Sequence, residues 1–172
     1  GGTGYAKTGG NYAAAMLPIQ RAQSAGYDNI IWLAAKEKKY VEEMGAMNIA
    51  FVYEDRIVTA PAGDTILDGV TRAAVGSLLR DLGHAWVEEH PAIAEIIADA
   101  HRGKLKEVSS CGTAAVVTPV GVIHYQGEDH RIGDGNEGEL TRKLREALCG
   151  IHEGTSELHP EWVYRVPVGQ KV

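Results

Sequence analysis

The pattern of apolar and polar positions along the chain predicts four helices. Three of the four are followed by a glycine, the residue that most readily takes the left-handed backbone common just after a helix. The helices are predicted over residues 11–25, 69–82, 92–102 and 137–148. The closing glycines are Gly26, Gly83 and Gly103.

Short runs rich in β-branched and aromatic residues predict strands between the helices. Two of these runs flank the turn at Glu54 and Asp55 and are expected to form a hairpin. The predicted strands cover residues 30–33, 49–53, 56–59 and, interrupted at Pro119 and Gly121, parts of 108–125. Strands and helices alternate without a strict βαβ period, so we predict a mixed sheet in one α/β (mixed α+β) domain.

The composition is that of an ordinary soluble protein. Of the 172 residues, 44% are hydrophobic and 23% are charged, and no apolar stretch is long enough for a membrane helix. Seventeen Lys and Arg against twenty-three Asp and Glu give a net charge of −6, without a basic stripe. A membrane or a nucleic acid is therefore not an expected partner.

The cysteines and histidines carry no recognisable disulfide or metal pattern. Cys111 and Cys149 are too few for a disulfide framework, which indicates a reducing compartment, and we expect the cytoplasm. The histidines lack metal-ligand spacing, so no metal site is predicted. The chain opens on a glycine-rich loop without an initiator Met, and we expect it to belong to a longer polypeptide.

The opening sequence GGTGYAKTGGNY places Lys7 among five glycines. Glycines let the backbone approach a flat or anionic ligand closely. One interpretation is a phosphate-binding P-loop, since residues 1–8 nearly fit G-x-x-x-x-G-K-[ST], but Ala6 stands where the last glycine belongs. The other interpretation is a lysine that forms a Schiff base.

Four ordered motifs favour the Schiff-base lysine. Lys7 is followed by TGGNY, and the later motifs are EEMGAMN, LDGVTR and CGTAAVVTPV at residues 42–48, 67–72 and 111–120. Their order and spacing resemble those of the class IV (fold-type IV) aminotransferases, and GGNY resembles the branched-chain members in particular. Trp162 also stands where that family usually has a tryptophan. The resemblance covers essentially the entire chain.

The resemblance implies that the cofactor is pyridoxal 5′-phosphate and that Lys7 forms the Schiff base with it. Lys7 is then also expected to move the proton between the substrate's α-carbon and the cofactor. Burial is expected to favour its unprotonated, nucleophilic amine. By the same resemblance, Glu43 lies against the pyridine nitrogen and keeps it protonated, and Tyr12 contacts the phenolic oxygen.

The phosphate of this cofactor requires an anion site. Gly69, Val70 and Thr71 stand at the predicted start of a helix, where open amide groups and the helix dipole favour an anion. The resemblance adds the hydroxyl of Thr113 to the phosphate site and places Leu67 on the face of the ring. The residues that it implies around the substrate are Tyr12, Thr113 and Ala114.

The resemblance also implies a domain organisation. Residues 1–166 are expected to form the large, C-terminal, cofactor-binding domain of the D-amino acid/branched-chain aminotransferase-like fold, a mixed sheet or pseudo-barrel flanked by helices, and residues 167–172 a frayed tail. A homodimer and a smaller N-terminal domain, absent from this chain, are implied as well. Asp68 stands where the family usually has proline, which is expected to loosen the turn before the phosphate site and to add a negative charge.

These motifs favour transamination of leucine, isoleucine and valine with 2-oxoglutarate. Two other class IV activities, D-amino acid transamination and aminodeoxychorismate lyase chemistry, would use the same lysine and glutamate. A third hypothesis is a non-catalytic domain fragment that packs against a partner and binds the cofactor weakly at most.

Overall fold

The computed structural model describes residues 2–167. Within this range the helices are α1 (Gly9–Ser24), α2 (Val70–Asp81), α3 (Ile93–His101) and α4 (Glu139–Glu153), with a 3-10 turn at Pro160–Trp162. None of these helices has the length and apolar content needed to cross a membrane. Gly1 and all but the first residue of the predicted frayed tail lie outside the described residues.

All four predicted helices are present, and α4 is longer than its pattern indicated. The prediction ended this helix at residue 148, whereas α4 continues to Glu153 and is closed by Gly154 in the left-handed conformation (φ 69°). Gly150 is accommodated because it packs against the returning chain, where a Cβ would come within 3.3 Å of Ser156. Its carbonyl accepts a hydrogen bond from the Ser156 amide at 3.0 Å. These tertiary contacts outweigh the low helix preference of glycine.

The described residues contain nine strands in two sheets. The first five are β1 (Ile31–Leu33), β2 (Val41–Met44), β3 (Met47–Val52), β4 (Ile57–Thr59) and β5 (Trp86–Glu88). The others are β6 (Glu107–Gly112), β7 (Val116–Pro119), β8 (Val122–Tyr125) and β9 (Glu128–Arg131). Strands β1 to β7 form a seven-stranded sheet, and β8 pairs with β9. In the large sheet β4 and β5 are parallel and the other pairs antiparallel, which confirms the predicted mixed sheet.

Strand β3 is the centre of the large sheet. One of its edges pairs along most of its length with β6, and the other is shared between β2 near its start and β4 near its end. The β3–β4 pair is the predicted hairpin, in which the amide of Tyr53 donates to the carbonyl of Arg56 at 2.8 Å. Glu43, Asn48 and Cys111 consequently lie side by side on β2, β3 and β6.

Three strands, β2, β5 and β9, were not predicted. Their sequences are Val-Glu-Glu-Met, Trp-Val-Glu and Glu-Asp-His-Arg. Charged residues have a low intrinsic preference for strands, and pairing with a neighbouring strand supplies what the local sequence lacks. The run EKKYVEE at residues 37–43 has no strand pattern. Strand β2 nevertheless begins inside this run at Val41 and ends just after it at Met44, and both of these side chains are buried.

The two faces of the large sheet carry separate hydrophobic cores. Successive residues of β3 point to opposite faces. Ile49 and Phe51 pack with α3 and the small sheet, whereas Ala50 and Val52 pack with α2 and α4. Cys111 belongs to the second core, so the row that it forms with β2 and β3 lies on the face toward α2.

Candidate active site

The loop before α1 is held by one amide side chain. Asn11 donates from Nδ2 to the carbonyl of Thr3 at 2.7 Å and to that of Ala6 at 2.9 Å. Its Oδ1 accepts from the hydroxyl of Thr3 at 2.7 Å. Because Ala6 immediately precedes Lys7, these bonds fix the backbone from which the lysine side chain leaves. The GGNY motif contains Asn11 but does not by itself reveal this role.

The same loop lies beside β2. The amide of Tyr5 donates to the carbonyl of Asp64 at 3.3 Å. Gly4 touches the backbone of Thr65, and a Cβ at Gly4 would overlap it. Thr65 in turn donates from Oγ1 to the carboxylate of Glu42 at 2.7 Å. The glycine therefore permits the close approach that brings the lysine loop next to β2.

Lys7, Tyr12 and Glu43 form one electrostatic group. The Lys7 Nζ lies over the ring of Tyr12, 5.7 Å from its centre. The charge of Lys7 also lowers the pKa of the Glu43 carboxyl, as the smallest of four influences on it. Lys7 is exposed within residues 2–167, so its expected burial stays a prediction.

The environment of Glu43 disfavours its charged form. The side chain is half-buried on β2, and this desolvation raises its pKa from the usual 4.5 to about 7. A hydrogen bond with the backbone of Leu67 lowers the pKa in part, as does Lys7, while the charge of Glu42 raises it further. A cationic group placed beside this carboxyl would favour its ionised form.

Asn48 joins Glu43 to the turn before α2. It is buried on β3, and its Nδ2 donates to the Glu43 Oε1 at 3.3 Å and to the carbonyl of Leu67 at 3.0 Å. Leu67, expected on the face of the ring, is half-buried in that turn. Asn48 thus links the predicted site residues Glu43 and Leu67. It stands in the EEMGAMN motif but had no predicted role.

The N-terminus of α2 is open. Gly69 is the N-cap and has no side chain of its own, and within residues 2–167 the side-chain hydrogen bonds of this turn go to the Leu67 carbonyl and the Asp68 carboxylate. The first helical hydrogen bond runs from the amide of Ala73 to the carbonyl of Gly69 at 3.0 Å, which leaves the amides of Val70, Thr71 and Arg72 available. The predicted helix start is confirmed, and the binding role of residues 69–71 stays a prediction. These amides and the helix dipole would favour an anion.

Arg72 is buried in the first turn of α2 and anchors it. Its Nη1 lies 3.3 Å from the carboxylate of Asp68, and its Nη2 lies 2.8 Å from that of Glu88. Nη2 also donates to the carbonyl of Ala60 at 3.2 Å, and the guanidinium lies 5.9 Å from the centre of the Trp86 ring. Asp68, in the usual position of proline, is therefore tied to its own helix by an ion pair.

Thr113 and Ala114 lie in the turn between β6 and β7, and both are exposed. The turn follows Gly112, where a Cβ would come within 3.0 Å of the side chain of Met47 at the start of β3. The β6–β7 turn therefore lies at the same end of the sheet as the β2–β3 turn. Two strand pairings link it to Glu43, because Cys111 pairs with Asn48 and Asn48 pairs with Glu43. The contacts of Thr113 and Ala114 with phosphate or substrate stay predictions.

Fold and site together define a mixed α/β domain that presents an amine, a half-buried acid and an open helix N-terminus around β2 and the turn before α2. The family model "Amino-transferase class IV" matches residues 3–123. The chain belongs to the class IV aminotransferases.

Within this family, the chain is similar to branched-chain enzymes. The "Branched-chain-amino-acid transaminase 1" of Bacillus subtilis (strain 168) is 46% identical over 166 residues, which cover 96% of this chain and 47% of that protein. The "Branched-chain-amino-acid aminotransferase" of Mycobacterium tuberculosis (strain CDC 1551 / Oshkosh) is 43% identical over 170 residues, with 96% and 46% covered. The chain spans about half the length of the curated relatives it matches.

Solved structures share the fold. A branched-chain amino acid aminotransferase of T.th., crystallised with pyridoxamine 5′-phosphate, has a TM-score of 0.80 and 30% identity, and the match covers 92% of this chain and 48% of that one. The branched-chain aminotransferase of Thermoproteus uzoniensis with norvaline has a TM-score of 0.75 and 32% identity, with 92% and 48% covered. The predicted fold class is therefore confirmed.

Proposed function

We propose that the protein containing this chain is a pyridoxal-phosphate-dependent aminotransferase of branched-chain amino acids. In this proposal 2-oxoglutarate is the amino acceptor and Lys7 attaches the cofactor. The observation that carries the proposal is the position of the Lys7 loop, which packs on Thr65, the partner of Glu42, beside the half-buried Glu43, whose pKa is raised to about 7. A nearby amine and acid are the two groups that this chemistry requires of the protein.

The ring end of pyridoxal phosphate fits the surroundings of Glu43. A protonated ring nitrogen beside this carboxyl would supply a positive charge and lower the pKa of Glu43 toward its usual value. The Glu43 carboxylate would in turn keep that nitrogen protonated. When bound, the cofactor supplies an electron-withdrawing ring that weakens the bonds at the substrate's α-carbon.

The phosphate end fits the N-terminus of α2. Within residues 2–167 the side-chain hydrogen bonds of this turn, from Asn48 to Leu67 and from Arg72 to Asp68, do not involve the amides of residues 70–72. Arg72 is already engaged by Asp68 and Glu88, so the attraction for the phosphate comes from the helix N-terminus and not from the guanidinium. The hydroxyl of Thr113 is proposed as a further donor.

Lys7 has two proposed tasks. Its Nζ would hold the cofactor through the cofactor's aldehyde carbon, and the free amine would carry the proton at the substrate's α-carbon. Asn11 holds the backbone next to Lys7, which keeps the amine within reach for both tasks. Tyr12, whose ring lies beneath the Lys7 Nζ, is proposed to contact the phenolic oxygen.

The choice of substrate rests on the relatives. Both curated relatives described above are named as branched-chain enzymes, and the T.th. structure carries a form of the proposed cofactor. Because the chain spans about half of their length, we propose that further polypeptide covers the exposed Lys7 and completes the side-chain pocket. A homodimer and a cytoplasmic location stay predictions.

The test uses the longest natural polypeptide that contains this sequence, with and without Lys7→Ala. With pyridoxal phosphate, we expect the unaltered protein to show an absorption band in the near-ultraviolet to visible range, and Lys7→Ala to lack it. Lys104→Ala removes an exposed lysine outside the site and is the matched control. A band that persists in Lys7→Ala, or no band in the unaltered protein, would contradict the proposal.

A substrate panel tests the reaction. With 2-oxoglutarate, we expect leucine, isoleucine and valine to react at least about tenfold faster than D-alanine, because specificity follows from fit in the transition state. A preference for D-amino acids, or conversion of aminodeoxychorismate, would instead assign another class IV activity. A protein that binds the cofactor weakly and converts none of these substrates would favour the non-catalytic alternative.

A further inference from the structure

Asn48 lies between the two ends of the proposed cofactor site. Its exposed fraction is 8%, and it stands directly opposite Glu43 in the β2–β3 pair and opposite Cys111 in the β3–β6 pair. A buried amide needs hydrogen-bond partners, because leaving its polar atoms unpaired is costly. The partners of Asn48 both belong to the proposed site.

The Asn48 amide joins Glu43 to the backbone of Leu67 by two hydrogen bonds. Its Nδ2 donates to the Glu43 Oε1 at 3.3 Å and to the Leu67 carbonyl at 3.0 Å. The reverse orientation would set the amide oxygen against two acceptors, so the partners decide which way the amide points. The backbone of Leu67 also lowers the pKa of the Glu43 carboxyl. Asn48 therefore connects the acid on β2 to the turn before α2.

The oxygen of the same amide packs against the start of α2. A Cβ at Gly69 would overlap the Asn48 Oδ1, so the N-cap of the helix lies directly on the amide. The backbone of Gly69 is extended (φ −73°, ψ 133°), a conformation open to any residue. Glycine is therefore required here for space and not for conformation.

We propose that Asn48 is a positioning residue that keeps the Glu43 carboxyl and the open N-terminus of α2 at one fixed separation. This role rests on the proposed function, since it assumes one rigid ligand that meets both places. Pyridoxal phosphate is such a ligand, because a planar ring separates its nitrogen from its phosphate. An error in the spacing of the two protein groups would weaken one of the two contacts.

Asn48→Leu tests this role, because leucine has a similar volume but lacks the amide group that donates both hydrogen bonds. Thr59→Val is the matched control. Thr59 is also buried, on the adjacent β4, and donates from Oγ1 to the carbonyl of Ile49 at 2.7 Å, but it shares no described hydrogen bond with Glu43 or Leu67. Asn48→Ser, which keeps one donor, is the second variant if Asn48→Leu does not fold.

Two quantities are measured on purified protein: the dissociation constant of pyridoxal phosphate, and the pH titration of the Glu43 carboxyl by 13C NMR without cofactor. Asn48→Leu should weaken cofactor binding about tenfold or more and move the Glu43 titration to higher pH, because the ionised carboxyl loses a donor. Thr59→Val should lower the melting temperature and leave both quantities unchanged.

A cofactor affinity within about twofold of the unaltered protein, or an unmoved Glu43 titration, would overturn the role of Asn48. Failure of the proposed function gives a different result, in which the unaltered protein itself lacks the Lys7-dependent absorption band. The role in cofactor binding then falls with it, while the NMR titration still reports whether Asn48 contacts Glu43.

Discussion

Helices α2 and α4 begin alike and are completed differently. Each has a glycine as N-cap, Gly69 or Gly138, with an extended backbone and no side chain of its own to cap the helix. In α4 the carboxylate of Glu107 takes this place. It accepts hydrogen bonds from the amides of Leu140 at 3.0 Å and Thr141 at 2.8 Å, and from the Thr141 hydroxyl at 2.7 Å. The fold thus supplies its own anion to α4.

The same positions in α2 are open. Thr71 and Arg72 correspond to Leu140 and Thr141 in the count from the N-cap, and no carboxylate of the described residues caps their amides. Asp68 is close in sequence, but its carboxylate pairs with the guanidinium of Arg72 at 3.3 Å. The difference separates a structural helix start, which contains its anion, from a candidate binding site, which leaves the amides available to a ligand.

Removal of the Glu107 carboxylate from the N-terminus of α4 should give the largest loss of stability. In Glu107→Ala two amides and a hydroxyl lose a charged acceptor, and we expect the free energy of unfolding to fall by about 3 kcal/mol, measured by urea unfolding. Glu146→Ala is the control, because it removes another acid of α4, whose exposed 3.0 Å ion pair with Arg142 contributes roughly 0.5 kcal/mol. Equal losses in the two variants would contradict the capping role of Glu107.

Alanine at the two N-caps should have different effects on cofactor binding. Gly69→Ala sets a Cβ against Asn48, and Gly138→Ala sets one against Glu107. We expect Gly69→Ala to weaken pyridoxal phosphate binding about tenfold, measured by calorimetry, and to lower the free energy of unfolding by about 1–2 kcal/mol. Gly138→Ala should lower the free energy of unfolding by about 1–2 kcal/mol and leave binding unchanged. The contrast between the helices is lost if Gly138→Ala weakens binding as much as Gly69→Ala does.

Asp68→Asn should strengthen cofactor binding by about threefold, because one negative charge beside the open N-terminus is removed. The side chain is 75% exposed, and Arg72 keeps its 2.8 Å ion pair with Glu88, so the fold should be retained. The gain should shrink between about 0.05 M and about 0.5 M salt. Asp55→Asn, in the β3–β4 turn, controls for net charge. Unchanged or weaker cofactor binding by Asp68→Asn would be evidence against repulsion between the Asp68 carboxylate and the phosphate of the cofactor.

The C-terminal end of α2 should show the smallest effect, a dependence of stability on pH. Hydrogen bonds to Glu161 at 2.8 Å and to Asp81 at 2.7 Å raise the pKa of His159 above its usual 6.5. The resulting stabilisation is complete below pH 6.5 and is lost as the pH rises through the raised pKa.

Proton NMR of His159 and urea unfolding across this range measure that dependence. His159→Gln should flatten this part of the stability profile without changing cofactor affinity. A pKa of His159 at or below 6.5 would contradict the described hydrogen bonds.

The helix ends could be predicted because their signals are local. Gly26, Gly83 and Gly103 have positive φ, as expected of residues that close helices. The start of α2 was predicted within one residue from the same kind of signal. Strand β2 could not be predicted from its charged sequence, because the partner that stabilises it is β3 and not a pattern of its own.

The motifs indicated which residues belong to the site but not how they contact one another. Asn48 and Arg72 stand inside quoted motifs, yet the bond from Asn48 to Leu67 spans nineteen positions and depends on the path of the intervening hairpin. Arg72 reaches Glu88 only because β5 lies parallel to β4. The exposure of Lys7 was likewise not predictable, since it depends on which elements cover the loop.

By itself, the sequence determined the helices, the turn glycines and the kinds of chemical group at the site, because each depends on a few neighbouring residues. Only the tertiary structure decided which helix N-terminus is filled and which is open. Glu107 reaches Leu140 across 33 positions, from a strand to a helix, and no local pattern around Gly138 or Gly69 encodes that difference. The sheet brings one acid to the amides of α4 and none of the described residues' acids to those of α2.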